Sequence, residues 1–354
     1  MGLLDETLEA ISPPDRTAAV EAARRLDALT KPRGSLGRLE EIVCRYAEIR
    51  RDATARMGSG AITVFVADHG VAEEGVSAYP QAVTAEMLRN IAVGGAAITV
   101  LAQRFGYRLW IADVGVAVDT SAKAYPGVIY RRIGDGTRNL ARAPAMSAAQ
   151  ARAALEVGIE MAREAIAAGA TLIGIGEMGI ANSTSAAALL AAFTGLEPAH
   201  VAGRGAGLDD TGMRRKIAVI ERALQLHHGA LADPLATLAA LGGFEIAAMA
   251  GVCLGGARLA VPVVVDGFIA TAAAAAAERL SAGLFAHLFF GHRAAEGGHA
   301  LVLEKLGVRP ILDLAMRLGE GSGAAIAMSV IEAALALFSR MATFESAGVS
   351  EKLA

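Results

Sequence analysis

Glu320 stands among three glycines, in Arg317-Leu318-Gly319-Glu320-Gly321-Ser322-Gly323. Glycine adopts φ > 0 freely and lets a ligand approach the backbone. From Ser322 to about Ser346 the chain is Ala-rich and helix-favouring. Ile326, Val330, Ala334 and Phe338 recur every four residues, as one buried helix face requires. Glu320 is therefore expected in the loop that enters a buried helix. The macrodipole favours an acidic residue near a helix N-terminus. That accounts for the charge but not for glycines at 319, 321 and 323.

A second glycine cluster, GIGEMG (174–179), matches G-x-G-x-x-G, and Asn182, Ser183 and Thr184 follow it into a helix. Taken literally this is a dinucleotide fingerprint, which would suit an NAD-dependent oxidoreductase. Bare glycine N–H groups, a helix N-terminus and the two hydroxyls would also hold a phosphate. Glu177 lies inside the turn, where its charge would repel a pyrophosphate, so one phosphate suits the pattern better than a dinucleotide. A plain tight turn is the alternative. In GRGAGLDDTGMRRKIAVIERAL (203–224) a glycine loop precedes a helix with acidic caps, Asp209 and Asp210. Lys216 on its first turns could reach a phosphate, or be a solvated surface lysine.

ADHGVAEEGVSAYP (67–80) offers Asp68, His69, Glu73 and Glu74, but not at the spacing of a zinc or calcium site. No G-x-S-x-G elbow accompanies the Asp-His pair. Ser77-Ala78-Tyr79-Pro80 reads as an exposed turn whose ring could cover a planar ligand. GHRAAEGGHALVLEKLG (291–307) reads as a loop and a helix start rather than a metal site.

The elements that must position these residues alternate. Apolar strands are expected at 61–70, 107–116, 170–179 and 259–268, each ending in Asp or Glu with Gly, and helices follow at 83–106, 147–168, 185–193 and 269–280. Apolar strands interleaved with helices imply a parallel sheet covered on both faces. Ligands then bind beyond the carboxyl ends of the strands, so the four strand ends should line one crevice. The terminal segments, 1–57 and 325–354, lack strands and are expected to form a small helical domain beside a large one, 58–324. In the first of them, Ser35 can cap a helix.

The 354 residues are 54% hydrophobic but only 5% aromatic, so the core must be built largely from Ala, Leu, Val and Ile. A net charge of −3 without a long basic run argues against nucleic-acid binding. Cys44 and Cys253 form neither a disulfide framework nor a zinc cluster. Residues 246–277 are apolar, but Arg258, Pro262 and Asp266 interrupt them, so helix, strand and helix are expected rather than a membrane span. The N-terminus carries no signal-peptide core, and Glu6 stands where myristoylation wants Ser or Thr. A soluble, cytoplasmic protein is expected.

TKPRGSLGRLE (30–40), ADHGVAEEGVSAYP (67–80), GIGEMGIANSTSAAA (174–188), VDGFIATAAA (265–274) and RLGEGSGAA (317–325) together resemble the nicotinate-nucleotide–dimethylbenzimidazole phosphoribosyltransferase family over nearly the whole chain. The resemblance implies a Rossmann-like parallel sheet with helices on both faces, a small helical domain from the chain ends, and a homodimer. It implies transfer of phosphoribose from nicotinate mononucleotide to 5,6-dimethylbenzimidazole, for the lower ligand of cobalamin, without a metal or cofactor. Glu320 then corresponds to the catalytic base. Gly176, Glu177, Gly179, Asn182, Ser183, Thr184, Lys216, Asp266 and Gly267 correspond to the phosphoribose and nicotinate-nucleotide site. Ser77, Tyr79, Met87 and Leu318 would flank the acceptor base. Some members carry glutamine at the position of Met87 and serine at that of Ala294, departures that bear on the choice of base. A non-catalytic nucleotide-binding protein on the same fold is the further alternative.

Overall fold

The computed structural model describes residues 2–120, 124–205 and 207–350. Residues 351–354, the last of the expected helical segment, lie outside the described residues. Among those described, six parallel strands form one sheet: β1 (Ser59–Ala67), β2 (Arg108–Gly115), β3 (Val128–Tyr130), β4 (Ala170–Met178), β5 (Val263–Val265) and β6 (Leu288–Phe290). Their order is β3-β2-β1-β4-β5-β6. The chain therefore builds outward from β1 to β3, returns to lay β4 on the other side of β1, and continues to β6. The order reverses between β1 and β4, and an open α/β sheet has its crevice at the tips of such a pair.

Side chains alternate across each strand, and both faces are buried. Ile62, Val64, Val66, Leu172 and Val264 share one core with the helices Arg38–Arg50 and Ser322–Arg340. Phe65, Ile173, Ile175, Val263 and Val265 share the other with the helices Ala148–Ala167, Asn182–Thr194, Phe244–Arg258 and Phe268–Leu280. Small side chains make this second layer thin. In the last of its helices Ala270 and every alanine from Ala272 to Ala277 is buried. Between Ala148–Ala167 and Phe244–Arg258 the backbones nearly touch: a Cβ on Gly158 would overlap the Ala248 carbonyl oxygen, and one on Gly251 the Leu155 carbonyl oxygen.

The chain ends meet, with Leu29 bridged antiparallel to Thr343. Arg16–Ala28 packs on Arg38–Arg50, which in turn packs on Ser322–Arg340. Leu3–Ala10 instead lies on the opposite side, against Ala148–Ala167 and Phe244–Arg258.

Several expectations are corrected. Two strands, β3 and β6, are not expected from the sequence: each has only three residues, and neither ends in the Asp-Gly that marks the equally short β5. The strand expected at 259–268 shrinks to Val263–Val265, since Leu259 and Ala260 form a turn after the helix, with Ala260 at φ 53°. Ser35 is an exposed turn residue, and the following helix is capped at Gly37, with φ 55°. Ile326 and Val330 are only half-buried; the buried stripe is Ala327, Ile331, Ala334 and Phe338, with Met328 and Leu335 beside it. By length and composition Val83–Phe105 and Ser322–Arg340 could cross a membrane. The first is broken into two helices, Val83–Ala92 and Ala97–Phe105, and the second packs inside the fold.

Candidate active site

The strand tips surround a cavity of about 580 Å³. Glu177, Met178 and Gly179 come from the end of β4, Asp266 and Gly267 from the end of β5, and His292 follows β6. Ser77 and Tyr79 form one rim, Arg317, Leu318 and Gly319 another. Asn182 and Ser183 present the first turn of the helix Asn182–Thr194 to the same space.

Of the residues proposed from the sequence, Glu177, Gly179, Asn182, Ser183, Asp266, Gly267, Ser77, Tyr79 and Leu318 line this cavity. Gly176, Thr184, Lys216, Met87 and Glu320 are not among its lining residues. The reasons differ. Thr184 is fully buried and its hydroxyl has no hydrogen-bond partner. Met87 is half-buried on the helix Val83–Ala92, packed on the core. Lys216 is no surface lysine: it is fully buried, and its Nζ donates to Ser183 Oγ and to the Gly203 carbonyl, both at 2.9 Å. It stands directly behind two residues of the wall, Ser183 and Gly205.

The glycines of GIGEMG are not bared for a pyrophosphate. A Cβ on Gly176 would lie 2.5 Å from both the carbonyl carbon and oxygen of Glu320. One on Gly174 would lie 2.9 Å from Met328 Sδ, and one on Gly179 would overlap the Ala67 carbonyl oxygen. The protein's own atoms fill the space a dinucleotide would need, and at Gly176 they are the backbone of the Glu320 loop.

That loop is held in an unusual shape. Gly319, Glu320 and Gly321 have φ of 85°, 62° and 86°. Positive φ is cheap for glycine and costs an L-residue such as Glu320 about 1–2 kcal/mol. Two anchors maintain it. Asp266 accepts from Ala324 N (2.8 Å) and Gly321 N (3.2 Å), closing the start of the helix Ser322–Arg340. Glu320 itself is only 5% exposed, and its Oε2 accepts from Ile98 N at 3.3 Å, at the N-terminus of Ala97–Phe105. Its carboxylate is thus inside the protein, held against the N-terminus of that helix.

The electrostatics follow from burial. Desolvation, reinforced by the charges of Glu245 and Asp266, pushes the Glu177 carboxyl up to about 8, against a hydrogen bond from Asn182. Burial pushes Asp266 up to about 7 despite the backbone N–H groups it accepts. Burial also raises Glu320, opposed by the Ile98 N–H and assisted by Asp266. Lys216 is lowered to about 8 by burial, with Glu296 opposing. The site therefore holds a group of hydrogen-bonding carboxyls, a carboxylate more basic than usual, and a buried ammonium. Such a set can take a proton near neutral pH and bind an anion.

Sequence reasoning missed four lining residues with side-chain chemistry. Glu296 is 8% exposed and accepts from Gly205 N at 2.7 Å. His292 is 2% exposed, with Nδ1 unpartnered and Nε2 3.8 Å from Asp266 Oδ1. Arg317 reaches the Gly205 carbonyl at 3.4 Å, and Phe268 closes the floor. The strand β6, short and without an Asp-Gly end, is what brings the segment containing His292 and Glu296 to the crevice. Asp68 and His69 do not line the cavity: His69 is fully buried between Ser185 Oγ (3.0 Å) and Glu245 Oε1 (2.6 Å). Among the described residues no three His, Cys, Asp or Glu side chains are grouped so as to hold a metal ion.

A family model described as a phosphoribosyltransferase matches residues 11–349. A relative from Chloroflexus aggregans, named nicotinate-nucleotide–dimethylbenzimidazole phosphoribosyltransferase, is 50% identical over 352 residues, 99% of each chain. This chain belongs to that phosphoribosyltransferase family. A relative of the same name from Chloroflexus aurantiacus is also 50% identical, over 100% of both chains. A crystal structure of CobT from Thermus thermophilus superposes with a TM-score of 0.90 at 46% identity, covering 95% of this chain and 100% of that one. The α/β fold and the family membership are thus those the sequence motifs imply.

Proposed function

We propose that the protein transfers phosphoribose from nicotinate mononucleotide to 5,6-dimethylbenzimidazole, giving α-ribazole 5′-phosphate and nicotinate, for the lower ligand of cobalamin. The observation that carries this reading is the full-length identity of about half to relatives bearing that activity in their names. The geometry supports the assignment of roles. Lys216, Ser183 and the N-terminus of Asn182–Thr194 gather positive potential at one end of the cavity, where the donor phosphate would sit. Tyr79 and Leu318, both exposed, flank the mouth and would sandwich a flat heterocycle.

Glu320 acts as the base. One ring nitrogen of the benzimidazole attacks C1′ of the ribose while the bond from C1′ to the pyridinium nitrogen breaks. The electron pair returns to the pyridine ring, so nicotinate leaves without needing protonation. Attack from the opposite face inverts C1′ from β to α. The other ring nitrogen turns acidic as the bond forms, and the Glu320 carboxylate takes its proton. Burial makes that carboxylate a stronger base than a solvated one. Asp266, by bonding Gly321 N and Ala324 N, holds the loop that carries it.

Incubation of the purified protein with nicotinate mononucleotide and a panel of benzimidazoles, purines and phenols, with products identified by mass, tests the reaction. A mass for α-ribazole 5′-phosphate with stoichiometric nicotinate is expected; release of neither would end this reading. Glu320→Gln should abolish most turnover and still bind nicotinate mononucleotide. The homodimer expected of the family is part of this reading. The free thiols of Cys44 and Cys253 suit a cytoplasmic setting. The antiparallel bridge of Leu29 to Thr343 joins the two terminal segments, whereas Leu3–Ala10 packs on the large domain, so a small domain built from the chain ends would begin with Arg16–Ala28.

A further inference from the structure

The cavity offers little positive charge to its proposed anionic donor. Glu177, Asp266 and Glu296 line it, and among the described lining residues Arg317 is the one Lys or Arg. The phosphate end shows the imbalance most plainly. Lys216 is the buried cation there, and Glu296 is the charge set against it. These two formal charges cancel. A phosphate monoester brings about −1.5 to −2 at pH 7, so Lys216 alone leaves the filled pocket strongly negative. The N-terminus of Asn182–Thr194 contributes only about half a positive charge.

Arg317 is placed to supply what is missing. It is exposed and forms no ion pair among the described residues, and its one hydrogen bond is a long one, Nη1 to the Gly205 carbonyl at 3.4 Å. Gly205 is also where the phosphate end begins. Its Cβ position lies 2.9 Å from Ser183 Oγ and 3.7 Å from Lys216 Nζ. Arg317 and Lys216 therefore approach the same glycine, one from the mouth and one from the interior. A guanidinium presents two parallel N–H donors that match phosphate oxygens. A hydrogen bond of 3.4 Å to a neutral carbonyl is readily exchanged for charge-assisted ones.

We propose that Arg317 is the second cation of the donor-phosphate subsite, closing over the 5′-phosphate opposite Lys216 and selecting a phosphorylated donor. This rests on the reaction proposed above. Arg317 also lies three residues before Glu320 on one loop, so the donor phosphate steadies the segment that carries the base. An alternative partner for Arg317 is the pyridine carboxylate of the donor. Its distance from Gly205, and hence from Lys216 and Ser183, favours the phosphate.

Three probes separate these assignments by isothermal calorimetry: nicotinate mononucleotide, ribose 5-phosphate and free nicotinate, each titrated into wild type, Arg317→Gln and Arg317→Lys. Arg317→Gln should weaken the two phosphorylated probes by about tenfold to a hundredfold, the range for a lost charged hydrogen bond, and leave nicotinate unchanged. Arg317→Lys should recover part of the loss. Weakening of nicotinate and the mononucleotide, but not ribose 5-phosphate, would assign the side chain to the carboxylate and overturn the proposal. Equal weakening of all three would show a collapsed loop, and no weakening would show a bystander; either also overturns it. Wild-type protein that binds none of the three probes would instead count against the donor assignment itself.

Discussion

Gly176→Ala is the sharpest test of how the fold places its base. The new methyl would lie 2.5 Å from the carbonyl carbon and oxygen of Glu320. Non-bonded carbon contacts settle at about 3.5–4.0 Å, so the loop must retreat by roughly 1 Å. It cannot yield by turning a side chain, because the obstruction is backbone. It is also tied on both sides, by Asp266 to Gly321 N and by Ile98 N to the Glu320 carboxylate. Overpacking of this kind costs about 1–3 kcal/mol of stability, while a displacement of about 1 Å at a catalytic group can cost about a hundredfold in rate. The expected variant is therefore folded, melts a few degrees lower, and releases nicotinate about a hundredfold more slowly with its KM for the mononucleotide little changed. Gly174→Ala is the control on the same strand. There the methyl meets Met328 Sδ at 2.9 Å, a flexible thioether that can move, and turnover should stay within a few-fold of wild type. A folded Gly176→Ala enzyme with wild-type kcat would refute the idea that β4 sets the position of Glu320.

Lys216→Met should raise KM for nicotinate mononucleotide by at least about tenfold, the low end for a lost charged hydrogen bond, and steady-state kinetics at pH 7 would show it. The basic limb of kcat/KM should fall through about pH 8. Lys216, lowered to about 8, there loses its proton and with it the attraction for the donor phosphate, and Glu177, pushed up to about 8, gains a charge that repels it; a flat profile to about pH 9.5 would contradict this. Because the fold raises Glu177 above its ordinary value of 4.5, it binds that proton more tightly than the unfolded chain does. The stability so gained is present below about 4.5, falls as pH rises, and is gone above about 8; denaturant midpoints of wild type against Glu177→Gln, at pH 5 and 9, would expose the difference. Gly158→Ala should destabilise the fold by about 3 kcal/mol or more, beyond ordinary overpacking, since its methyl would overlap the Ala248 carbonyl; urea unfolding measures it.

Long periodic elements were legible from the residues alone. Apolar runs ending in Asp-His-Gly, Asp-Val-Gly and Gly-Glu-Met-Gly mark β1, β2 and β4 and predict a shared crevice, because buried parallel strands leave their polar residues only at the tips. Three-residue strands carry no period, and β3 and β6 lack the Asp-Gly end that marks β5, so both were invisible, and with β6 went the placement of His292 and Glu296. The glycines of GIGEMG illustrate a different limit. Their spacing is real, but what Gly176 makes room for is a segment about 145 residues further on, and Gly179 makes room for Ala67; no local pattern reveals either. Lys216 misled in the same way. A lysine among Arg214, Arg215 and Glu221 reads as solvated, and only the packing of its helix on Ser183 and Gly203 makes it a buried cation.

The alanine helix Phe268–Leu280 has a consequence for how the pocket can change. Gly267, Phe268, Ile269 and Ala270 form the floor, and the turns beneath are almost wholly methyl groups. A methyl has no alternative rotamer, so this layer loses no side-chain entropy when it folds and has no second arrangement to adopt. Accommodation of heterocycles of different outline must then come from Tyr79 and Leu318 at the entrance, where there is solvent to move into. Selection for a new acceptor would act on those rim positions long before it touched the bed of alanines.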